Sequence, residues 1–318
     1  MTVLVTGGAG FIGSHFIERL LATGSGASIV CLDNFNDDYD AALKRENAAA
    51  FGSNKRVTMV EQSFCDPGVV EPLLARHAVR HIVHLGGFAG VRASMARPLE
   101  CDEANVRGTL VLLEAARKHP VERFVFVSSS TVYGAGTAVP FQEDAPLGVP
   151  LSPYGVTKRA AELLGLHYHQ MHAVPVVSLR PFSVYGPRIR PDLAMHAFAS
   201  AITSGRPLVL FGDGTFQRDF THVSDVCAGL LAALSADGVV GQAINLGHHE
   251  PVAIGNLVRM LEDKLGRKAT IEHRAACAGD MPVTCADLAK AERLLGYRPK
   301  MSLADGVREF VAWFRGQS

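Results

Sequence analysis

No apolar run in the 318-residue chain approaches the roughly 20 residues that a membrane-spanning helix needs. Met1 leads at once into an apolar strand, so no signal peptide is expected. Net charge is also missing: 31 Lys and Arg balance 31 Asp and Glu, and no global field favours nucleic acid or an anionic membrane. The six cysteines, Cys31, Cys65, Cys101, Cys227, Cys277 and Cys285, contain no CxxC pair. That scatter argues against a disulfide framework and fits reduced thiols, so a soluble, cytoplasmic protein is expected. Internal repeats and low-complexity segments are absent too. Thirteen His give no convincing metal site, because His167, His169 and His172 point to different sides of one helix. No metal is expected.

What the chain does have is concentrated at its start. An apolar strand (Val3, Leu4, Val5) runs into Gly7, Gly8, Gly10 and Gly13, then an amphipathic helix and a second strand ending in Asp33. Gly7 and Gly8 permit a tight turn, Gly10 lets backbone approach a pyrophosphate, and Gly13 lets the helix lie close on the sheet. Asp33 follows Gly13 at about the 20-residue distance at which an acid meets an adenosine ribose. The pattern predicts a dinucleotide site. A 48% hydrophobic chain of this length can also bury a large core, and two unequal lobes are expected.

Strands and helices then alternate. A helix is predicted near Ala41 to Ala50 and a strand from Val57 to Val60; Asp66 beyond it either reaches the adenine or caps a helix at Pro67. The strand Ile82 to Leu85 ends in Gly86-Gly87, where a ligand would cross the sheet. A long helix from Pro98 to Lys118 carries Asn105 at its buried midpoint. The strand Phe124 to Val127 ends in Ser128-Ser129-Ser130-Thr131, which by itself also reads as a hydroxyl-rich cap. Ser152-Pro153 opens a helix bearing Tyr154 and Lys158, whose i, i+4 spacing lets the ammonium sit beside the phenol and favour its ionised form. Taken alone, that pair also reads as a surface Tyr beside a surface Lys. After the strand Val176 to Leu179 the elements become shorter and mixed. Residues 1–180 are expected to form a dinucleotide-binding domain, with 223–247 returning to it, and 181–318 a substrate lobe.

Together, Gly7 to Gly13 with Asp33, the Ser129 region and Tyr154 with Lys158 resemble the extended short-chain dehydrogenase/reductase superfamily, in its nucleotide-sugar epimerase and dehydratase branch. The resemblance implies a doubly wound α/β Rossmann sheet with a smaller mixed α/β lobe, and NAD as cofactor. It carries Phe11, Ile12, Asn34, Leu85, Gly86 and Asn105 to the cofactor side, along with the glycines, Asp33 and Asp66. Tyr154 would take a proton from a sugar hydroxyl, Lys158 would lower the phenol and bind the nicotinamide ribose, and Ser129 would hydrogen-bond the reacting oxygen. Arg218 resembles the Arg that binds the sugar nucleotide's diphosphate, Asp280 the Asp that holds the uridine ribose, and Arg92, Val209 and Phe211 fall on the substrate side. Cys277 stands at a usual phosphate-binding Arg position, leaving Arg188 or Arg274 to share that load.

Ser130 and Thr131 stand where dehydratases and decarboxylases of the branch carry acids, so elimination and decarboxylation are disfavoured. A non-catalytic cofactor sensor is a further alternative, although such proteins typically lose the Tyr/Lys pair. The segments Asp33 to Asp40, Ala89 to Arg92 and Arg190 to Ala194 are similar to those of UDP-glucuronate 4-epimerases more than of galactose epimerases, and a UDP-glucuronate carboxylate would suit Ser130, Thr131, Ser183 and Arg190. Relatives pair the helices carrying Leu110, Leu113, Leu163 and Leu166 into a four-helix bundle, which implies a homodimer.

Overall fold

The computed structural model describes residues 1–275 and 281–317. Six strands alternate with helices: β1 (Thr2–Thr6), β2 (Ser28–Asp33), β3 (Val57–Glu61), β4 (His81–His84), β5 (Arg123–Val127) and β6 (Val176–Pro181). Six more follow: β7 (Ser183–Tyr185), β8 (Leu208–Phe211), β9 (Gln217–His222), β10 (Ala243–Leu246), β11 (Pro251–Ala253) and β12 (Ile271–Arg274). Seven of them form a parallel sheet in the order β10-β6-β5-β4-β1-β2-β3. The first crossover direction reverses between β1 and β4, which is where a doubly wound sheet opens a ligand crevice.

Alternation along the strands explains the two layers. Val3 and Val5 face one cluster with Phe16, Ile17, Val226 and Leu230, from the helices Phe11–Ala22 and Val223–Ser235. Leu4, between them, faces the other cluster with Leu74, Leu112, Phe124 and Ala161, beneath the helices Pro67–Arg76, Gly108–Lys118 and Pro153–His172. With helices on both faces, every residue of β4 and β6 is buried, as expected for an all-parallel sheet. The chain comes back to this sheet after β9, with β10 pairing with β6 from Ala243 opposite Ser178.

The later strands make two small sheets, β11-β9-β7 and β12-β8. One change to the expected elements bears on the site. The helix expected from Pro98 to Lys118 is three pieces, α-helix at Pro98–Asp102, a turn of π-helix at Glu103–Arg107 and α-helix from Gly108 to Lys118, preceded by a short helix Val91–Ala96. Leu113 on it is fully buried in the core and presents nothing to a partner.

Asp219 of β9 knits this part together. Its fully buried carboxylate accepts from the backbone N–H of His248 (2.6 Å), His249 (3.1 Å) and Ala286 (2.9 Å). Asp219→Ala strands those three donors, and urea denaturation should show a loss of about 3–5 kcal/mol of unfolding free energy. A loss under about 1 kcal/mol would mean that the surrounding backbone finds other partners.

Candidate active site

The glycine turn and the end of β4 meet at the point where the sheet changes direction. Gly7 has φ +67°, and a Cβ there would lie 2.7 Å from the Gly86 nitrogen. A Cβ on Gly13 would lie 2.2 Å from the Gly7 oxygen, so the helix sits directly on the turn. Gly10 caps that helix without any side-chain hydrogen bond, leaving the first-turn N–H groups around Phe11 and Ile12 to face an anion. Asp33, buried at the end of β2, accepts from Ala9 N–H and Phe35 N–H, both at 3.0 Å. Burial pushes its carboxyl up, opposed by those donors and by Lys44. This cradle fits a dinucleotide: a tight backbone for the pyrophosphate and an acid for the ribose.

The loop after Asp33 covers the cradle. Asn34 is exposed and accepts from Asn36 N–H at 3.3 Å, while the Tyr39 hydroxyl comes within 4.0 Å of a Cβ built on Gly10. Lys44 lies 4.7 Å and Arg190 5.4 Å from the centre of the Tyr39 ring. Tyr39 and Lys44 were not anticipated; the signal was a lysine one helical turn into the helix that follows an acidic loop. Asp66 is exposed and its side chain caps the helix at Pro67, with Oδ1 accepting from Gly68 N–H at 2.8 Å.

Across the sheet, Ser129 lies two residues beyond β5 and caps a single 3-10 turn, Ser130–Val132. Its oxygen accepts from Thr131 twice, from N–H at 3.2 Å and from the hydroxyl at 3.0 Å. The Ser129 proton is therefore free to point away from Thr131, and the side chain lies near enough to the Tyr154 phenol to lower it. Burial raises that phenol above its usual value, while Ser129 and the Arg190 charge pull it down. Lys158 does not do so. Its ammonium donates to the Val127 carbonyl at 2.8 Å, where a contact with the phenol was expected. Burial brings Lys158 down to about 8, against the Cys101 thiol and the Glu162 carboxylate.

A buried network holds the two halves in place. Gly86 N–H donates to the Thr6 hydroxyl at 3.1 Å, and Thr109 donates to the Asn105 carbonyl at 2.6 Å. Those directions leave His84 one tautomer: Nδ1 accepts from Thr6 at 2.7 Å and Nε2–H donates to Thr109 at 3.1 Å. Burial holds that imidazole well below its ordinary value. Asn105, in the π turn, accepts from Phe88 N–H at 2.9 Å and donates to the Phe88 carbonyl and the Thr157 hydroxyl, both at 3.0 Å. Leu85 and Gly86 are thus fixed from β1, and Phe88 from the π turn, whose Asn105 also bonds Thr157 on the helix that carries Tyr154.

On the substrate side, Ser94 of the short helix accepts from Tyr154 N–H at 3.1 Å, and Arg92 on the same helix stacks 3.8 Å from the Phe211 ring centre. Val209 and Phe211 share β8, with both half-buried. Arg190 donates to the Ala89 carbonyl (3.3 Å) and to both oxygens of Asp192 (3.0 and 2.8 Å). Ser130, Thr131 and Ser183 are half-buried. Arg218 donates to the carbonyls of Gln217 and Met281, at 2.9 and 2.7 Å. Arg188 pairs with Glu18 and Arg274 with Glu272. Asp280, with Gly279 and Cys277, lies outside the described residues.

The family model of the NAD dependent epimerase/dehydratase family matches residues 3–247. A UDP-glucuronate 4-epimerase of Thermodesulfobacterium geofontis is 36% identical over 311 residues, covering 98% of this chain and 95% of that one. An uncharacterised UDP-glucose epimerase of Bacillus subtilis is 38% identical over 314 residues, covering 98% of both. The crystal structure of UDP-glucuronic acid 4-epimerase from Bacillus cereus, in complex with UDP-glucuronic acid and NAD, superposes with a TM-score of 0.94 at 36% identity, covering 100% of each chain.

The Asn105 network can be tested without any ligand. Asn105→Ala leaves Phe88 N–H and the Thr157 hydroxyl short of a buried partner, and thermal or urea unfolding should register a loss of about 2–4 kcal/mol. Unchanged stability would show that water replaces the amide.

Proposed function

The chain belongs to the NAD-dependent epimerase/dehydratase family, and from that premise we propose that it interconverts UDP-glucuronate and UDP-galacturonate by C4 epimerisation through a 4-keto sugar. The observation that supports the chemistry is Ser129: its oxygen accepts from Thr131 twice, which leaves its own proton available for the Tyr154 side and, in this reading, for the reacting oxygen. NAD supplies the hydride acceptor and returns the hydride to the other face of the sugar carbon. Tyr154 removes the C4 hydroxyl proton and later restores it. Lys158 binds the nicotinamide ribose. Asp33 accepts from the adenosine ribose, and its charge selects NAD over a 2′-phosphorylated cofactor. The nearest arginine, Arg45, is spent on a bidentate pair with Glu61 and does not offset that charge.

Residues 1–180 with 223–247 form the cofactor part in this reading, and the remainder the sugar-nucleotide part. Ser130, Thr131, Ser183 and Arg190 are assigned to the uronate carboxylate. Thr131 already donates its hydroxyl proton to Ser129. We place the protein in the cytoplasm, where the five described cysteines, all free, stay reduced.

Incubation with a panel of UDP-sugars, resolved chromatographically, should give UDP-galacturonate from UDP-glucuronate, little UDP-4-keto-pentose and no net NADH. Tyr154→Phe should keep its NAD and lose at least about 100-fold in turnover. Replacing Ser183 or Arg190 should cost the uronate roughly 1.5 to 3 kcal/mol more than the neutral sugar. Higher kcat/KM on UDP-glucose would transfer the assignment to a UDP-glucose/UDP-galactose 4-epimerase.

The homodimer belongs to the same reading. Leu99 (84% exposed), Leu110 (36%), Leu163 (60%) and Leu166 (39%) leave apolar side chains in water on the two helices assigned to the bundle. Light scattering at micromolar concentration should return twice the 34.0 kDa chain mass. The Leu163→Glu/Leu166→Glu variant should run as a folded monomer; a dimer in that variant would place the interface elsewhere.

A further inference from the structure

Tyr154, Lys158 and Glu162 succeed one another at i, i+4 and i+8 on the helix Pro153–His172, so one helical stripe carries all three. The Glu162 carboxylate is paired fork to fork with Arg180 of β6, at 2.9 and 2.7 Å, and only 9% and 5% of the two side chains is exposed. The Arg180 guanidinium also lies 4.9 Å from the centre of the Tyr133 ring. Tyr133 ends the turn that Ser129 begins, and its hydroxyl donates to Asn245 of β10 at 2.7 Å. One cation therefore touches the helix of Tyr154 and Lys158 on one side and the turn of Ser129 on the other.

Stability alone does not account for such a pair, because a well-packed nonpolar replacement of a buried ion pair is often as stable or more so. The geometry points to Glu162 and Arg180 as positioning residues that register Ser129 against Tyr154 and keep the Lys158 ammonium charged. The inference rests on the reading of Tyr154 and Lys158 as the reactive pair. Lys158 faces Glu162 on its own helix, the Cys101 thiol from the helix Pro98–Asp102, the His84 imidazole from β4 and the Val127 carbonyl from β5. The thiol and the imidazole are neutral in these surroundings, which burial enforces on both. Glu162 is thus the carboxylate that opposes the desolvation of Lys158, and without it the ammonium loses its proton at lower pH.

The test compares wild-type holoenzyme with Glu162→Gln and with the nonpolar double variant Glu162→Leu/Arg180→Met. In both variants the alkaline limb of kcat should move down by about one pH unit and maximal kcat fall about tenfold, with KM for the UDP-sugar within about twofold. Calorimetric NAD affinity should weaken at correspondingly lower pH, a readout that needs no turnover. The double variant should regain the wild-type melting temperature without regaining the kcat or the pH limb. A folded double variant with wild-type kcat and alkaline limb overturns the inference, as does a Glu162→Gln variant whose loss merely follows its unfolded fraction. A wild-type protein that turns over no UDP-sugar would instead sink the functional reading, and the pH dependence of NAD affinity would still decide the role of the pair.

Discussion

Two backbones touch where the sheet reverses its winding, and there is no room between them for a side chain. A Cβ on Gly7 would meet the Gly86 nitrogen at 2.7 Å, and one on Gly86 would meet the Phe64 ring at 2.6 Å. This contact brings the turn after β1 and the end of β4 side by side, so that one surface of bare amides runs from the glycine turn to the Gly86-Gly87 strand end. Thr6 secures it by accepting from Gly86 N–H, and His84 secures Thr6. Because Asp33 ends the adjacent strand β2, the acid and the anion cradle are held at a fixed separation by sheet hydrogen bonds rather than by loops.

The parts of the fold written in periodicity were legible. Buried runs such as Val3 to Val5 and Val176 to Leu179, each followed by an apolar-striped helix, admit little besides a parallel sheet, and the sheet is there. Other features leave no periodic trace. The π turn at Asn105 exists because one amide side chain bonds backbone on a different element, which spacing along the helix does not encode. β12 has all four residues exposed, so it shows none of the alternation that marks a half-buried strand. The short helix Val91–Ala96, squeezed between Gly90 and Pro98, is too brief to display a period.

In the site, residue types were easier to foresee than their partners. Ser129, Tyr154 and Lys158 do converge, but the ammonium turns to the Val127 carbonyl and Arg190 is the cation that acts on the phenol. The reason is local: burial leaves Lys158 needing an acceptor at once, and a neutral phenol is a poorer one than a free strand-end carbonyl. Arg190 could not be oriented from sequence, since besides its neighbour Asp192 it bonds the Ala89 carbonyl, which only the folded chain brings to it. Cysteine placement behaved similarly. Cys101 proved to be part of the Asn105 and Thr157 network beside Lys158, and spacing alone gave no hint of that.

The same hydrogen-bond directions bear on which reaction the site runs. Thr131 fixes the Ser129 proton by donating to it from both N–H and hydroxyl, and a Glu at 131 would offer only the N–H and accept with the rest. Ser129 would then face a second acceptor beside the phenol, and its single proton would be divided between them. A carboxyl there could carry out elimination chemistry but would loosen the direction of the hydroxyl that serves the C4 oxygen. With Ser130 and Thr131 the turn holds no ionisable group, so Tyr154 has no competing acid or base on that side of the sugar. Proton removal at C4 is then matched only by proton return at C4, as an epimerase requires.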